Sequence, residues 1–246
     1  MYWDERKLLN RANITHKAVM ETSEVSPVER ELCETLSRIK VDKHVCVPDV
    51  FADISVDQMA TLGDAEKRAC WINIYNIGVQ YLLRAHNGKL DDPAVFDTSF
   101  SFNGQSISLN DIEHGILRGG PDSDFEYTPT APVDVCQRLS LDLDPRLHFA
   151  LNCGARSCPL IEIYRSATLD QQLARATTDY LTAEVTYMED IDTVVLPELF
   201  DWFVADFGGS SGIVELLRTH GIIPDDRTPA FEYQDWDWTA VPRKFR

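Results

Sequence analysis

Residues 144–159 have the sequence DPRLHFALNCGARSCP, in which an apolar run gives way abruptly to a polar loop. The run at residues 146–151 lacks strict alternation of polar and apolar side chains, which predicts a strand buried on both faces. Cys153, Gly154 and Cys158 lie in the loop that follows. A rigid element that delivers thiols and amide donors into a loop is a common way to build a reactive site. We therefore expect the functional site around Cys153.

The elements on either side of this stretch predict a chain rich in helices and poor in strands. Ser26 and Thr168 each open a capping-box pattern, and Asp64 is a further helix cap. The predicted helices cover residues 2–20, 27–39, 64–87, 109–118, 168–184, 197–207 and 211–220, and the predicted short strands cover residues 186–188 and 193–196. Because these elements do not repeat as strand–helix units, their order predicts an α+β fold and not a doubly wound sheet.

The chain has 246 residues, of which 44% are hydrophobic, and this suits one large globular domain. We expect a helix-rich single domain with a small mixed sheet. Residues 1–50 are predicted to form a helical N-terminal layer, and residues 51–246 the main globular unit. A long loop over residues 119–133, rich in glycine, proline, aspartate and threonine, is expected to act as a lid or rim.

The formal net charge of −17 restricts the partners of this chain. Such a surface repels nucleic acid and anionic membranes. No stretch is long and apolar enough to span a bilayer, and the first residues lack the apolar core and cleavage pattern of a signal peptide. We therefore expect a cytoplasmic protein that binds neither nucleic acid nor membrane. The acid-rich, lysine-poor composition suits either a high-salt cytoplasm or an ordinary acidic protein, and the two interpretations have equal weight.

Four blocks stand out along the chain: CWINIYN at residues 70–76, FNG at 102–104 with LNDIEHGILR at 109–118, the stretch at 144–159, and a closing DWDW at 235–238. Together they resemble the family called DUF547, a domain of unknown function. The resemblance runs from about residue 64 to residue 238, which is a domain-sized span. It implies that residues 51–246 form a domain of this family. The family has no established activity, so the resemblance supplies a boundary and candidate residues but no mechanism.

Two positions depart from the family pattern. Cys70 stands where an aromatic or aliphatic residue is usual, and Leu160 stands where a second proline is frequent. The first departure makes Cys70 a poor candidate for a shared catalytic residue.

Cys153 is the best candidate for a nucleophile. A thiol becomes nucleophilic when a neighbouring base or positive field lowers its pKa. His148 and His114 are the candidate bases, and Arg156 is two residues away. In a strand, His148 and Cys153 have opposite parity and point to different faces, which makes His114 at least as attractive a partner. Glu113, beside His114, is a candidate for a further acidic role.

Further polar residues complete the predicted site. Amide side chains can orient an imidazole or stabilise an oxyanion, although buried amides more commonly brace the backbone. The amide candidates are Asn73, Asn76 and Asn152. Nearby arginines could hold a thiolate or an anionic ligand despite the negative exterior. The residues predicted to bind substrate are Arg118, Arg146, Arg156, Ser157 and Cys158.

The cysteines leave three interpretations open. Without a signal peptide, reduced thiols are the expected state of all six. Cys153 and Cys158 could instead close into a disulfide if their Cα atoms approach within about 6 Å. Together with His114 and His148 they are also suitable zinc ligands, but the spacing matches no standard zinc signature, so we expect no metal and no cofactor. The tryptophans Trp202, Trp236 and Trp238 are expected to serve packing.

The leading hypothesis is a thiol-dependent hydrolase, or an acyl or amide transferase, with Cys153 as nucleophile. The alternative is a non-catalytic module that binds a small molecule or a peptide through the same polar loop. A redox protein that uses Cys153 and Cys158 is third. A remote similarity to the cysteine-protease and transglutaminase architecture is an analogy and not a sequence match.

The acidic composition gives the first testable prediction. If it reflects adaptation to salt, repulsion among surface carboxylates weakens the fold at low ionic strength, where the Debye length reaches about 30 Å. Molar sodium chloride shortens that length to about 3 Å, so the melting temperature should rise steeply with salt. Thermal denaturation over a sodium chloride series measures this, and a flat response would leave only the ordinary acidic protein.

Overall fold

The computed structural model describes residues 25–88, 93–119 and 127–246. The α-helices in these residues are α1 (Pro27–Lys40), α2 (Val47–Ala52), α3 (Val56–Thr61), α4 (Asp64–Ala85), α5 (Val133–Leu139), α6 (Leu169–Glu184), α7 (Leu199–Trp202) and α8 (Gly209–Thr219). A π-helix spans Asp111–Leu117, and 3₁₀ helices span Pro93–Asp97, Pro145–Phe149, Ser166–Thr168 and Glu189–Ile191. The strands are β1 (Ser99–Phe102), β2 (Gln105–Ser108), β3 (Thr186–Met188), β4 (Thr193–Pro197) and β5 (Ala230–Gln234). None of the helices in these ranges is long and apolar enough to cross a membrane.

The strands form two small sheets, which confirms the predicted α+β class. β4 is the centre of a three-stranded mixed sheet, antiparallel to β3 and parallel to β5. β1 and β2 form a separate hairpin that was not predicted. Its turn uses Asn103 and Gly104 at φ 45° and 85°, the left-handed conformations that two-residue hairpin turns require.

The strand predicted over residues 146–151 is wrong. The structure has the 3₁₀ helix Pro145–Phe149 there, followed by irregular chain. Asp144 caps this helix through a bond from the backbone N–H of Arg146 to its carboxylate at 3.0 Å, and Pro145 occupies the first turn. The apolar run suggests a strand because it is buried on several sides, yet the Asp-Pro pair that precedes it is a helix-start signal.

Other predicted elements differ in extent. The helix predicted over residues 197–207 is limited to α7, and the following residues form turns up to α8. Helices α2, α3 and α5 were not predicted. Of the loop predicted over residues 119–133, residues 120–126 lie outside the described residues, and α5 begins at its last residue. The predicted helix over residues 2–20 lies outside the described residues.

Helix α4 is the central support of the first of two apolar cores. It is buried almost all round, as expected of an interior helix. Gly78 permits close packing, since a Cβ at this position would lie 2.7 Å from the Leu109 side chain. The second core lies around α6, α8 and the mixed sheet. The Pro145–Phe149 segment joins the two, because Leu147 belongs to the first core and Phe149 to the second.

Two asparagines of α4 hold the segments that follow the 3₁₀ helix. Asn76 donates to the carbonyl of Ala150 at 3.0 Å and accepts from the N–H of Asn152 at 2.9 Å. Asn73 makes the same pair of bonds to the carbonyl and N–H of Tyr164, at 2.7 and 3.0 Å. Both amides are fully buried and act as substitutes for a strand neighbour. Asn76 thus ties the chain directly before Cys153 to α4, and Asn73 ties Tyr164 to the same helix.

Replacing Asn76 with alanine should lower the free energy of unfolding by about 3 kcal/mol, because two buried backbone groups lose their partners. Urea denaturation measures the change. The matched control is Asn110→Ala, which removes only an exposed hydrogen bond to Asp97 and should cost less than about 0.5 kcal/mol. Equal losses for the two variants would contradict a bracing role for Asn76.

Candidate functional site

A cavity of about 290 Å³ opens beside the loop that carries Cys153. We call it the Cys153 cleft. Its polar lining includes five predicted site residues, which are Glu113, His114, His148, Cys153 and Cys158. Its aromatic lining consists of Tyr75, Phe96, Trp202, Phe203, Trp236 and Trp238. The structure thus brings the π-helix and the cysteine loop to one cleft, although they are more than thirty residues apart in the sequence.

A largely buried carboxylate, Asp206, holds the cleft residue His148. Asp206 accepts two hydrogen bonds from Arg118, Nε to Oδ2 at 2.6 Å and Nη2 to Oδ1 at 2.8 Å. The Nε2 atom of His148 lies 2.7 Å from the same Oδ2. Burial opposes the charge of Asp206, but the bonds from His148 and Arg118 outweigh burial and hold its pKa well below the usual range. Asp206 is therefore an anion at neutral pH, and His148 donates to it from Nε2.

The partner of His114 sets its tautomer. Arg118 Nη1 lies 2.9 Å from His114 Nδ1. Because a guanidinium can only donate, Nδ1 accepts and the ring proton is on Nε2. Burial lowers the pKa of His114 most, and the neighbouring Arg118 and His148 side chains lower it further, against the opposing effect of Glu113 and Asp206. The ring is thus neutral at neutral pH.

Phe203 packs against both hydrogen-bond partners of Asp206. Its ring stacks on that of His148 with centroids 4.3 Å apart, and the Arg118 guanidinium carbon lies 4.6 Å from its centroid. These contacts fix the planes of the imidazole and the guanidinium without competing for their hydrogen bonds.

Cys153 and Cys158 form a disulfide, with their Cα atoms 6.2 Å apart. This corrects the expectation that all six cysteines are reduced; Cys33, Cys46, Cys70 and Cys136 are free thiols. Gly154, at φ 92°, supplies the left-handed turn that brings the loop back on itself. Cys153 is partly buried and Cys158 is buried, and both residues line the cleft.

The disulfide also bears on the zinc interpretation. It ties up both sulfur ligands of the proposed set. Within residues 25–88, 93–119 and 127–246, no group of three or more histidine, cysteine, aspartate or glutamate side chains has a geometry that could hold a metal ion.

Glu113 lies at the rim with Tyr75. Burial, followed by the neighbouring Glu113 carboxylate and its hydrogen bond, raises the pKa of the Tyr75 hydroxyl well above its usual range. Tyr75 is therefore protonated at neutral pH, and its hydroxyl donates a hydrogen bond to the Glu113 carboxylate. This places one acidic and one phenolic group on the side of the cleft formed by α4 and the π-helix.

The remaining predicted residues lie away from the cavity. The side chains of Asn73, Asn76 and Asn152 are fully buried and bond backbone groups. Arg146 forms ion pairs with Asp144 and Asp170 on the other side of its 3₁₀ helix.

Arg156 and Ser157 anchor the chain that carries two of the tryptophans. Arg156 Nε lies 3.1 Å from a carboxylate oxygen of Asp237, and the Ser157 hydroxyl oxygen accepts from the N–H of Asp237 at 2.9 Å. Asp237 lies between Trp236 and Trp238, so the two predicted residues position an aromatic wall and do not line the cleft themselves.

Sequence patterns do not single out Asp206, which contacts the cleft residue His148, or the tryptophans that line the cleft. Asp206 lies among turn residues between α7 and α8, and no local motif marks it as a partner of His148. Trp202 and Trp238 were assigned to packing, yet their rings are 40% and 54% exposed and they stack with centroids 6.0 Å apart beside the cavity. The sequence signal for the exposure of these two tryptophans was their position in an acidic, turn-rich context.

Replacing Asp206 with asparagine should destabilise the protein by about 3 kcal/mol at pH 7, because Arg118 loses its buried counter-ion. The carboxylate has a depressed pKa in the fold, so its contribution is complete above the unfolded pKa of about 3.9, begins to decline as pH approaches that value, and is lost in full only as pH falls through the lower folded pKa. The difference between wild type and Asp206→Asn in urea denaturation should therefore shrink from pH 6 to pH 3. Asp201→Asn, at an exposed position, is the control; a pH-independent difference would contradict the ion pair.

Comparison with known protein families identifies the family of this chain. The sequence profile described as "Protein of unknown function, DUF547" matches residues 59–181, which is half of the chain. Neither a curated protein nor a solved structure matches the chain. The matched region contains α4, the π-helix and the cysteine loop, and Asp206 and the tryptophans lie beyond its end. The chain belongs to the DUF547 family.

Proposed function

We propose that this protein is a thiol-dependent hydrolase, or an acyl or amide transferase, in which the reduced Cys153 is the nucleophile. The observation that carries the proposal is that Cys153 and a histidine oriented by a buried carboxylate line one cleft. A nucleophile, an imidazole and a group that orients the imidazole are the parts that nucleophilic catalysis requires.

His148 is the general base in this proposal. Its Nε2 is committed to Asp206, so Nδ1 is the nitrogen with a lone pair for the Cys153 proton. The thiolate attacks the carbonyl carbon, and the bond to the leaving group breaks. His148 passes its proton to the departing amine or alcohol. Water then hydrolyses the thioester, or an acceptor amine or alcohol takes the acyl group, and the Cys153 thiol is regenerated.

His114 has a different role from His148. Its neutral ring carries the proton on Nε2, because Arg118 occupies Nδ1. A neutral imidazole N–H in a cleft is a suitable donor to an oxygen that gains negative charge in the transition state. The two histidines therefore divide the work between proton transfer and charge stabilisation.

The disulfide is the inactive, oxidised form in this proposal. Two electrons from a dithiol reduce the Cys153–Cys158 bond and release the nucleophile. A reducing cytoplasm, which we propose as the location, supplies such dithiols. The strongly negative chain makes nucleic acid an improbable partner, and we propose a small molecule or a peptide as the substrate.

The disulfide itself favours a second candidate, a redox protein that exchanges the Cys153–Cys158 bond with other thiols. Cys153 faces the cleft and Cys158 is buried, as in a pair with one attacked and one leaving sulfur. The third candidate is a binding module, for which the aromatic wall of the cleft is the supporting observation.

The acyl-transfer proposal can be tested with p-nitrophenyl acetate and protein reduced by a dithiol that is then removed. We expect release of p-nitrophenol with acetylation of Cys153, identified by peptide mass spectrometry. His148→Ala should slow acetylation by about 100-fold, the typical contribution of a general base. The control His86→Ala removes an exposed histidine and should leave the rate unchanged.

Cys158→Ser separates the candidates. In the acyl-transfer proposal this variant keeps the activity and no longer needs a reductant. In the redox candidate, dithiol-dependent reduction of insulin requires both cysteines, so Cys158→Ser abolishes it. The binding module predicts neither activity in any variant.

Iodoacetamide labelling of the reduced protein tests the nucleophile directly. Cys153 should react faster than the buried Cys33 and Cys70. Cys46 is an accessible reference, because it is exposed and a hydrogen bond with Asp49 raises the pKa of its thiol. Labelling of Cys153 at or below the rate of Cys46 would count against an activated thiol.

A further inference from the structure

A second cavity, of about 460 Å³, shares no lining residue with the Cys153 cleft. It lies between the C-terminal ends of α1 and α4 and the chain at residues 240–243. Its floor is aliphatic and includes Ile39, Val45, Val47 and Leu83. A cavity of this size with an apolar floor and a few polar groups is typical of a small-molecule site.

The rim of this cavity is cationic in a chain whose net charge is −17. Three cations line it, which are Lys43, Arg84 and Arg243, and the single acidic residue in the lining is Asp42. Both arginines contact the same Asp42 oxygen, at 2.9 and 2.6 Å. One carboxylate thus serves two guanidinium groups, which leaves donor N–H groups on both for a further anion.

Gln80 adds a buried donor to this rim. Its Oε1 accepts from the backbone N–H of Arg243 at 2.7 Å, which fixes the orientation of the amide. Its Nε2 is buried and has no hydrogen-bond partner among the described residues. Arg243 itself has φ 55°, a costly conformation for a long side chain, and this conformation presents its N–H to Gln80.

We infer that this cavity binds a small amphipathic organic anion. The apolar body of the ligand packs on the aliphatic floor. Its acid group takes the free donors of Arg84 and Arg243, and an oxygen of the ligand, directly or through one water, takes the Gln80 amide. A carboxylate on a chain of several methylene groups has this chemistry. The site is independent of the proposed acyl transfer.

The fluorescent anion 1-anilinonaphthalene-8-sulfonate and octanoate are suitable probes, since each has an apolar body and one acid group. We expect octanoate to displace the fluorophore from the full chain and to raise the melting temperature. Octanol has the same body without charge and should displace the fluorophore about tenfold less well, because it forms no charge-assisted bond. Added salt should weaken octanoate binding.

Two variants test the assignment of the acid-binding groups. Arg84→Gln should weaken octanoate about tenfold, and its side chain is 55% exposed, so the fold does not depend on it. Gln80→Leu removes the buried donor while it keeps the apolar volume, and should also weaken octanoate. The matched control is Arg138→Gln, which removes an exposed arginine paired with Asp57 at another surface.

Octanoate affinity that is equal in Arg84→Gln and Arg138→Gln would overturn the inference. Equal displacement by octanol and octanoate would overturn it too, because the cavity would then be an apolar site without anion preference. Arg84→Gln and Gln80→Leu do not touch Cys153, His148 or Asp206. Acetylation by p-nitrophenyl acetate should therefore be unchanged in both variants, whatever their octanoate affinity.

Discussion

The candidate site depends on the hydrogen bonds that Arg118 and His148 donate to the carboxylate of Asp206. This carboxylate joins three segments that are distant in the sequence: the end of the π-helix, the 3₁₀ helix with His148, and the turns before α8. Buried Arg118 would be an uncompensated charge without it. The same oxygen fixes the proton position on His148. A single group therefore neutralises one side chain and orients another.

The π-helix gives this network its shape. Its last turn is closed by a bond from the Arg118 N–H to the Glu113 carbonyl, five residues back, at 3.0 Å. The wider turn lets His114 and Arg118 meet through their side chains on one face. At the other end, Asp111 accepts from the backbone N–H groups of Ser108, Thr130 and Ala131 at 2.8–3.0 Å, which ties the helix to the hairpin and to the chain before α5. The side chains of the cleft are thus held from both ends of one short element.

The local signals in the sequence were sufficient for the longer helices α1, α4, α6 and α8 and for the strands β3 and β4, but not for β5 or for the short helices α2, α3 and α5. Ser26 caps α1 as predicted, with a bond from the Glu29 N–H at 3.1 Å. The composition of the cysteine loop predicted a site there, and the loop does line the Cys153 cleft. The segment before this loop was wrongly predicted as a strand. It is a 3₁₀ helix, and burial on several sides erases the alternation of polar and apolar residues that separates a strand from a short helix. Asp206 could not be found, since its role comes from a long-range ion pair that leaves no trace in neighbouring residues.

Asparagines show the same limit in another form. Asn73 and Asn76 match a family block and lie on one helix face, which made a catalytic role reasonable. In the fold, each bonds both the N–H and the carbonyl of an irregular segment, and this is a structural use of the same two atoms. The chemistry of an amide side chain does not distinguish a catalytic role from a structural one. The position of its second hydrogen-bond partner does.

The Cys153–Cys158 disulfide has a consequence for the oxidation of Cys153 by peroxide. A lone activated thiol is oxidised by peroxide through sulfenic acid to sulfinic acid, a step that most cells cannot reverse. A neighbouring cysteine that condenses with the sulfenic acid stops this progression at a disulfide, which ordinary dithiols can reduce. Cys158, five residues away and already in bonding position, makes Cys153 recoverable after damage instead of permanently lost.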